Sequence, residues 1–321
     1  MDAILNVEGL VKHFPIRKGL FQSVVGHVKA VDGVSLRIPK GKTMGLVGES
    51  GSGKTTTGRT LLHLIEPTAG KVTFDGQDVS AKLKEDPRWV RRSMQIIFQD
   101  PYGSLNPRRT VMDIVGEAPL YHRIVDRSSL ADYVGQVLEM SGLKPSDAMR
   151  YPHEFSGGQR QRIGIARALA VRPRFLVCDE PVSALDVSIR SQILNLLKDL
   201  RDQLGLTYLF ISHDMSVVRH ISDHVAVMYL GKLVESAPKG AFFKEPLHPY
   251  SKALLSAIPL PDPDAKSERI ILEGDVPSPV NPPSGCRFHP RCAYAMDRCR
   301  TDEPPLADVG GREVACWLHC R

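Results

Sequence analysis

Gly48-Glu49-Ser50-Gly51-Ser52-Gly53-Lys54-Thr55 fits the pattern G-x-x-x-x-G-K-[ST] at every fixed position. An apolar run, Thr43 to Val47, precedes it, and an amphipathic stretch, Thr55 to Leu64, follows. A strand that turns through glycines into a helix lets backbone N–H groups curl around phosphate oxygens. The helix N-terminus adds its partial positive charge. In such a loop Lys54 reaches the β- and γ-phosphates and Thr55 binds Mg²⁺. The plain alternative is a Gly-rich turn ahead of a helix, and the Lys-Thr pair in this context weighs against it.

Outward from the loop, strand-like and helical stretches alternate. Ser93 to Phe98, Phe175 to Cys178 and Tyr208 to Ile211 read as strands, and Ile189 to Leu204 as a helix. That alternation predicts an α/β fold whose sheet is largely parallel and covered on both faces. The opening, with Val28 to Pro39 and Lys71 to Asp75, predicts a smaller antiparallel sheet, and residues 110 to 170 read as helical. The run Phe175-Leu176-Val177-Cys178 ends in Asp179-Glu180-Pro181. An apolar strand carries such acids to the carboxyl edge of the sheet, where nucleotides sit. Asp179 is the candidate for the Mg²⁺ shell, and Glu180 for orienting and deprotonating a water. Leu209-Phe210-Ile211 leads in the same way to Ser212-His213-Asp214. By pattern alone two readings of His213 stand level: a contact to a γ-phosphate, or a surface side chain beside a capping Ser212.

Composition is that of an ordinary globular chain, with 42% hydrophobic and 24% charged residues. The net charge of +6 is spread along the sequence. It gives no nucleic-acid stripe and fits docking near an anionic membrane surface. The N-terminus lacks the basic and apolar regions of a signal peptide. No run approaches the roughly 18 apolar residues that span a bilayer. The expectation is a soluble, cytoplasmic chain whose membrane role comes through partners.

Phe155-Ser156-Gly157-Gly158-Gln159 stands before a helix that opens Arg160-Gln161-Arg162. It differs by one residue from the LSGGQ signature of ATP-binding-cassette ATPases. With the loop upstream and Asp179-Glu180 downstream, residues 1 to about 235 closely resemble that family. The resemblance implies a P-loop NTPase (RecA-like) core with an antiparallel β subdomain and a helical subdomain over about 100–160. A small loop-rich C-terminal domain follows over 236–321. It implies ATP and Mg²⁺ as ligands, with Gly48 to Thr55 and Thr56 around the phosphates and Lys54 acting catalytically. Gln99 matches the Q-loop glutamine, Ser183-Ala184-Leu185-Asp186 the D-loop and His213 the switch histidine. Phe14 stands where an aromatic stacks on adenine. Two cassettes close head to tail in this family, so Ser156, Gly157, Gly158 and Gln159 would face the γ-phosphate held by the partner chain.

Prolines gather at 246, 249, 259, 261, 263, 277, 279, 282 and 283. Such a segment cannot sustain a long helix or strand, and a boundary is expected near 236. His248 to Leu255 and Pro277 to Cys286 resemble segments of peptide-importer ATPases. Tyr102 to Pro107 is similar to the permease-facing Q-loop of the same group, although a solvated Pro/Gly turn fits those residues equally. The insert Lys18 to Val28 resembles F-type ATPases of dipeptide and oligopeptide systems. The implied partners are a second, D-type ATPase, two transmembrane permeases and, indirectly, a periplasmic peptide-binding protein, at the cytoplasmic face of a bacterial inner membrane; no nucleic acid is implied. Nickel and glutathione importers share the appendage. Soluble cassettes that act on ribosomes or DNA carry tandem cassettes or a long coiled-coil insertion, and neither is present.

Five of the six cysteines follow residue 285. Cys286, Cys292, Cys299 and Cys316 offer four thiolates, with Cys320 beyond them. No C-x-x-C pair occurs, so the spacing is not that of an ordinary zinc ribbon or ferredoxin; by spacing alone zinc ranks first, an iron–sulfur centre second and free thiols third. The family resemblance implies a [4Fe–4S] cluster on these four. Cys178, within an apolar strand, reads as core.

Overall fold

The structure is a computed structural model, described over residues 3–258 and 269–320. The prolines at 259, 261 and 263 lie outside the described residues. In chain order the strands are β1 (Ala3–Lys18), β2 (Ser23–Pro39), β3 (Thr43–Val47), β4 (Ala69–Phe74), β5 (Gln77–Asp78), β6 (Met94–Ile97), β7 (Phe175–Asp179), β8 (Thr207–Ser212), β9 (His224–Tyr229), β10 (Lys232–Pro238), β11 (Ala307–Asp308) and β12 (Glu313–Val314). The helices are α1 (Lys54–Leu61), α2 (Val79–Glu85), α3 (Pro87–Ser93), α4 (Val111–Tyr121), α5 (Leu130–Met140), α6 (Gly157–Leu169), α7 (Val187–Leu204), α8 (Met215–Ile221), α9 (Lys239–Lys244), α10 (Pro249–Ser256) and α11 (Asp297–Thr301). Backbone contacts gather into two compact units, each drawn from several chain segments.

The first unit comprises residues 3–5, 38–43 and 74–210. Its strands run β8-β7-β6, with β6 and β7 parallel, Met94 opposite Phe175 and Ile97 opposite Cys178. Every residue of β7 is buried, as expected of a central strand in a covered parallel sheet. The helical stretch predicted over 110–170 is present as α4, α5 and α6. Helix α4 begins with a capping box in which Thr110 and Asp113 satisfy each other's backbone N–H groups. Helix α5 buries Tyr133, Val134, Val137 and Leu138, the spacing of one helical face.

The second unit comprises residues 6–37, 44–73, 211–258 and 269–320. It carries the antiparallel sheet β2-β1-β4 and the strands β11-β12-β10-β9-β3. β3 pairs β9 in parallel, Met44 opposite His224 and Val47 opposite Val227. β10 turns back antiparallel on β9 with a register shift between Leu233 and Glu235. The insert predicted over 18–28 is the tip of the β1–β2 hairpin, where Leu20 and Phe21 are 94% and 90% exposed. Beyond β10 regular structure comes in short pieces, the outcome expected of a proline-rich segment. Its core is aromatic: Tyr229, Phe242, Tyr250 and Phe288 are buried together. Tyr250 packs 4.8 Å from Tyr229 and 5.4 Å from Phe288 between ring centroids. Among the described residues no helix is long and apolar enough to cross a membrane.

Candidate functional site: a nucleotide loop and a carboxylate edge

In the second unit β3 delivers the chain into the loop and α1 takes it away. Gly48 has φ 154° and Gly53 φ 102°, angles that side chains other than glycine's rarely adopt. Space forbids a side chain as firmly. A Cβ on Gly48 would lie 2.2 Å from the Met228 carbonyl oxygen, and one on Gly53 2.1 Å from that of Ala30. The loop is therefore pressed between β9 and the segment ahead of Val31. Lys54 is buried. Its Nζ donates to the carbonyl oxygens of Gly48 at 2.8 Å and Glu49 at 2.9 Å, and to Ser52 Oγ at 3.3 Å. The ammonium is thus aimed into the loop. Thr55 and Thr56 sit in the first turn of α1, with Ser50 and Gly51 at the loop's outer bend.

Phe14 lies on β1 in the same unit, half-buried, with the Lys12 ammonium 5.1 Å from its ring centroid. Beside it, His13 Nε2 meets Asp32 Oδ1 at 2.9 Å. Burial works to raise the Asp32 carboxyl, but Arg287, His13 and Lys232 outweigh it and hold the pKa below the usual carboxylate range. His213, at the end of β8, is exposed. Asp214 after it caps α8, its carboxylate accepting from the backbone N–H groups of Ser216 and Val217.

The first unit holds the carboxylate edge. Asp179 ends β7 fully buried, and Glu180 follows with φ 46°. A non-glycine residue in that left-handed region carries strain of order 1–3 kcal/mol, a cost that clusters at functional positions. Gln99 Nε2 donates to Glu180 Oε2 at 3.2 Å. The two residues assigned to hydrolysis and to the Q-loop are therefore in contact, although 81 positions separate them. The Glu180 carbonyl accepts from Ser183 Oγ at 3.0 Å, which ties the next turn to it. Asp186 then stands at the N-cap of α7. Burial and the neighbouring Asp179 push the Cys178 thiol up, so it behaves as core.

The signature segment belongs to the same unit. Ser156 caps α6: its Oγ accepts from the Gln159 N–H at 3.3 Å, and Gln159 Oε1 accepts from the Ser156 N–H at 3.0 Å. Gly158 admits no side chain, since a Cβ there would lie 2.5 Å from Ile189 Cγ2. Phe155 is buried, with the Arg150 guanidinium 4.4 Å from its ring centroid. Tyr102, Gly103, Asn106 and Pro107 are exposed, but the segment is tied to α6. Arg160 stacks 4.0 Å over the Tyr102 ring, Arg167 donates to the Ser104 carbonyl at 2.5 Å, and Leu105 is buried.

The donors suit Mg²⁺, a hard cation that takes oxygen ligands. Asp179 and Gln99 present such oxygens in the first unit and Thr55 in the second. The cysteines answer differently. Burial and mutual repulsion push Cys286 and Cys316 up to about 11 and raise Cys292, so Cys286, Cys292, Cys299 and Cys316 lie within electrostatic reach of one another. Yet among the described residues no three His, Cys, Asp or Glu side chains form a group that could hold a metal ion. The expected [4Fe–4S] cluster and the zinc alternative therefore gain no support from the geometry. Neutral thiols have no charge drawing them onto a common centre, and a single zinc would need sulfurs about 4 Å apart. Cys320 stands aside, its Sγ 3.7 Å from the Pro305 carbonyl and 3.8 Å from that of Val314.

Two further residues reach the loop that the sequence did not mark. Arg291 pairs with Glu49, and Tyr250 accepts a hydrogen bond from the Glu49 N–H. Each is 200 or more positions from Glu49, and no local pattern signals so distant a contact.

Comparisons agree with this layout. Residues 31–183 match the ABC transporter family, and residues 234–299 match the oligopeptide/dipeptide transporter C-terminal region. The chain is 52% identical to the oligopeptide transport ATP-binding protein AppF of Bacillus subtilis, covering 99% of this chain and 98% of that one. It is equally identical to the probable peptide ABC transporter ATP-binding protein y4tS of Sinorhizobium fredii, over 99% of this chain and 90% of that one. A solved dimer of the ATP-binding cassette MJ0796 with ADP and Pi aligns over 73% of this chain and 98% of its own, at 26% identity and a TM-score of 0.64. Cassette motifs, a matching C-terminal region and this near-full-length likeness together place the chain in the family of ATP-binding subunits of oligopeptide and dipeptide ABC transporters.

Proposed function

We propose that this chain is the ATP-hydrolysing motor of an importer that takes di- and oligopeptides across a bacterial inner membrane. The observation that carries it is the Gln99–Glu180 contact at 3.2 Å, which joins the residue facing the permease in such transporters to the base that activates water. Glu180 accepts the proton of the attacking water. Lys54 offsets charge on the β- and γ-phosphates, and His213 contacts the γ-phosphate. Phe14 stacks on adenine. Thr55, Asp179 and Gln99 hold Mg²⁺, which when bound neutralises phosphate charge. Ser156, Gly157, Gly158 and Gln159 complete the site of the opposing cassette, with Asp186 beside that interface. Closure of the pair around ATP moves the permease helices, and hydrolysis releases them.

In this reading residues 1–235 form the cassette and 236–321 the appendage. The opposing cassette is a D-type ATPase, and two permeases hold the pair at the cytoplasmic face, with a periplasmic peptide-binding protein delivering cargo. The near-full-length likeness to relatives named for peptide transport favours peptide over nickel or glutathione, and the C-terminal match speaks against a soluble cassette on ribosomes or DNA. A [4Fe–4S] cluster on Cys286, Cys292, Cys299 and Cys316 is part of the proposal. It is supported by the family resemblance alone; a cubane, unlike a single ion, holds each thiolate on its own iron.

The test is Glu180→Gln in the assembled transporter. It should bind ATP and lose turnover by at least about a hundredfold; retained hydrolysis rejects Glu180 as the base. Anaerobically purified chain should be brown with about four irons per chain, and zinc without iron refutes the cluster.

A further inference from the structure

The phosphate loop contains a carboxylate, and it must cradle a polyanion. Glu49 lies one residue past Gly48, where an uncompensated negative charge would oppose the triphosphate. Its compensation comes from the appendage. Arg291 Nη1 lies 2.9 Å from Glu49 Oε2 and Nη2 3.4 Å from Oε1, a forked pair of the kind that fixes direction as well as charge. The Arg291 side chain is 8% exposed and that of Glu49 28%, so water screens the pair only in part.

The backbone is held as well. The Glu49 N–H donates to the Tyr250 hydroxyl at 2.8 Å, and Tyr250 is locked in the aromatic core beside Tyr229 and Phe288. Arg291 itself is anchored by the turn in which its N–H donates to the Phe288 carbonyl at 3.0 Å. The same segment sends a second buried arginine, Arg287, to Asp32, which also takes His13 next to Phe14. One short stretch of the appendage therefore reaches both the phosphate end and the base end of the site.

Resting on the reading of residues 48–55 as the ATP loop, we propose that Arg291, with Tyr250, is a positioning residue for nucleotide binding. It cancels the Glu49 charge and fixes the start of the loop, so the appendage is a working part of the nucleotide site.

Nucleotide affinity of the full-length chain, measured by calorimetry with ATP and no Mg²⁺, tests this. Arg291→Gln should bind ATP about tenfold more weakly, the effect of one released charge at a partly exposed site. Glu49→Gln should bind more tightly than the parent chain. The double variant should return to within about twofold of the parent, because the charge that needed cancelling is gone. Arg291→Lys should recover at least half of the loss on a logarithmic scale. An Arg291→Gln chain with parental affinity overturns the inference, as does a double variant no better than Arg291→Gln, since lost packing would not be rescued at Glu49. Should Arg291→Gln fail to fold, a Glu49→Gln chain that binds no more tightly than the parent overturns it alone. Failure of the parent chain to bind ATP rejects the loop reading instead.

Discussion

Replacing Gly53 with alanine separates two demands that the loop makes on its glycines. Gly53 and Gly51 both have positive φ, 102° and 78°. An alanine at either pays the left-handed penalty of roughly 1–2 kcal/mol. Their surroundings differ. Nothing lies within 4 Å of a Cβ on Gly51, whereas one on Gly53 would sit 2.1 Å from the Ala30 carbonyl oxygen. Carbon and oxygen rest roughly 3.3 Å apart at closest, so relief requires a movement of about 1 Å. The Ala30 carbonyl is backbone and cannot rotate away. The movement falls on the N-cap of α1, one residue before Lys54, and a misplacement of that size costs on the order of a hundredfold where binding depends on fixed donors. Gly53→Ala should therefore lose about a hundredfold in ATP affinity by calorimetry, against about tenfold for Gly51→Ala. Equal losses for the two variants would refute the clash argument and leave backbone angle alone as the cause.

Ser156→Ala removes the capping hydroxyl of α6 and should cost the first unit about 1 kcal/mol in denaturant unfolding. In the assembled transporter it should lower turnover by more than about tenfold, whereas ATP affinity of the isolated chain, measured by calorimetry, should hold. His248 supplies a pH dependence. It is buried, its Nδ1 accepts from the Tyr250 N–H at 3.1 Å, and burial together with His319 lowers its pKa to about 3. The folded state thus keeps His248 neutral while the unfolded chain takes up a proton below about 6.5. Stability from this residue is complete above that value and falls as pH drops from about 6.5 towards 3. Between pH 7 and 5 the loss should be about 2 kcal/mol. His248→Asn, which keeps a capping acceptor, should flatten that slope in thermal melts of the second unit.

What the sequence made legible was local chemistry. The glycines of 48–53 and the capping serine at 156 stand in short patterns that spacing makes visible, whereas the acids at the end of β7 take their reading from the phosphate loop upstream. β3 and β7 were readable for a related reason: both are buried along their whole length, and a continuous apolar run bounded by glycine or charge has few other homes. β1 was not marked out as one long strand. Even its first part does not alternate: Ile4, Leu5, Val7 and Leu10 are buried, with Gly9 at φ 55° breaking the period. Beyond them the chain is half-exposed and carries Pro15, so the period-2 signal fades although pairing continues to Lys18.

Pairing across long separations was the hidden part, and it falls into two kinds. Gln99 and Glu180 each sit in a recognisable motif, which marks both as site residues but not as a contacting pair. The Glu49–Arg291 pair was hidden further, because Glu49 occupies a variable position of the loop pattern and Arg291 lies among cysteines that drew attention to metal. A charge in a proline-rich segment ordinarily reads as solvated. Only burial and distance reveal that Arg291 is 8% exposed and directed at the loop. A lone carboxylate within an anion-binding loop was the available signal. Such a group, if it is not to oppose its ligand, must have a cation beside it, and in the proposed reading Lys54 is kept for the phosphates. The missing positive charge had to come from elsewhere in the fold, and the appendage provides it.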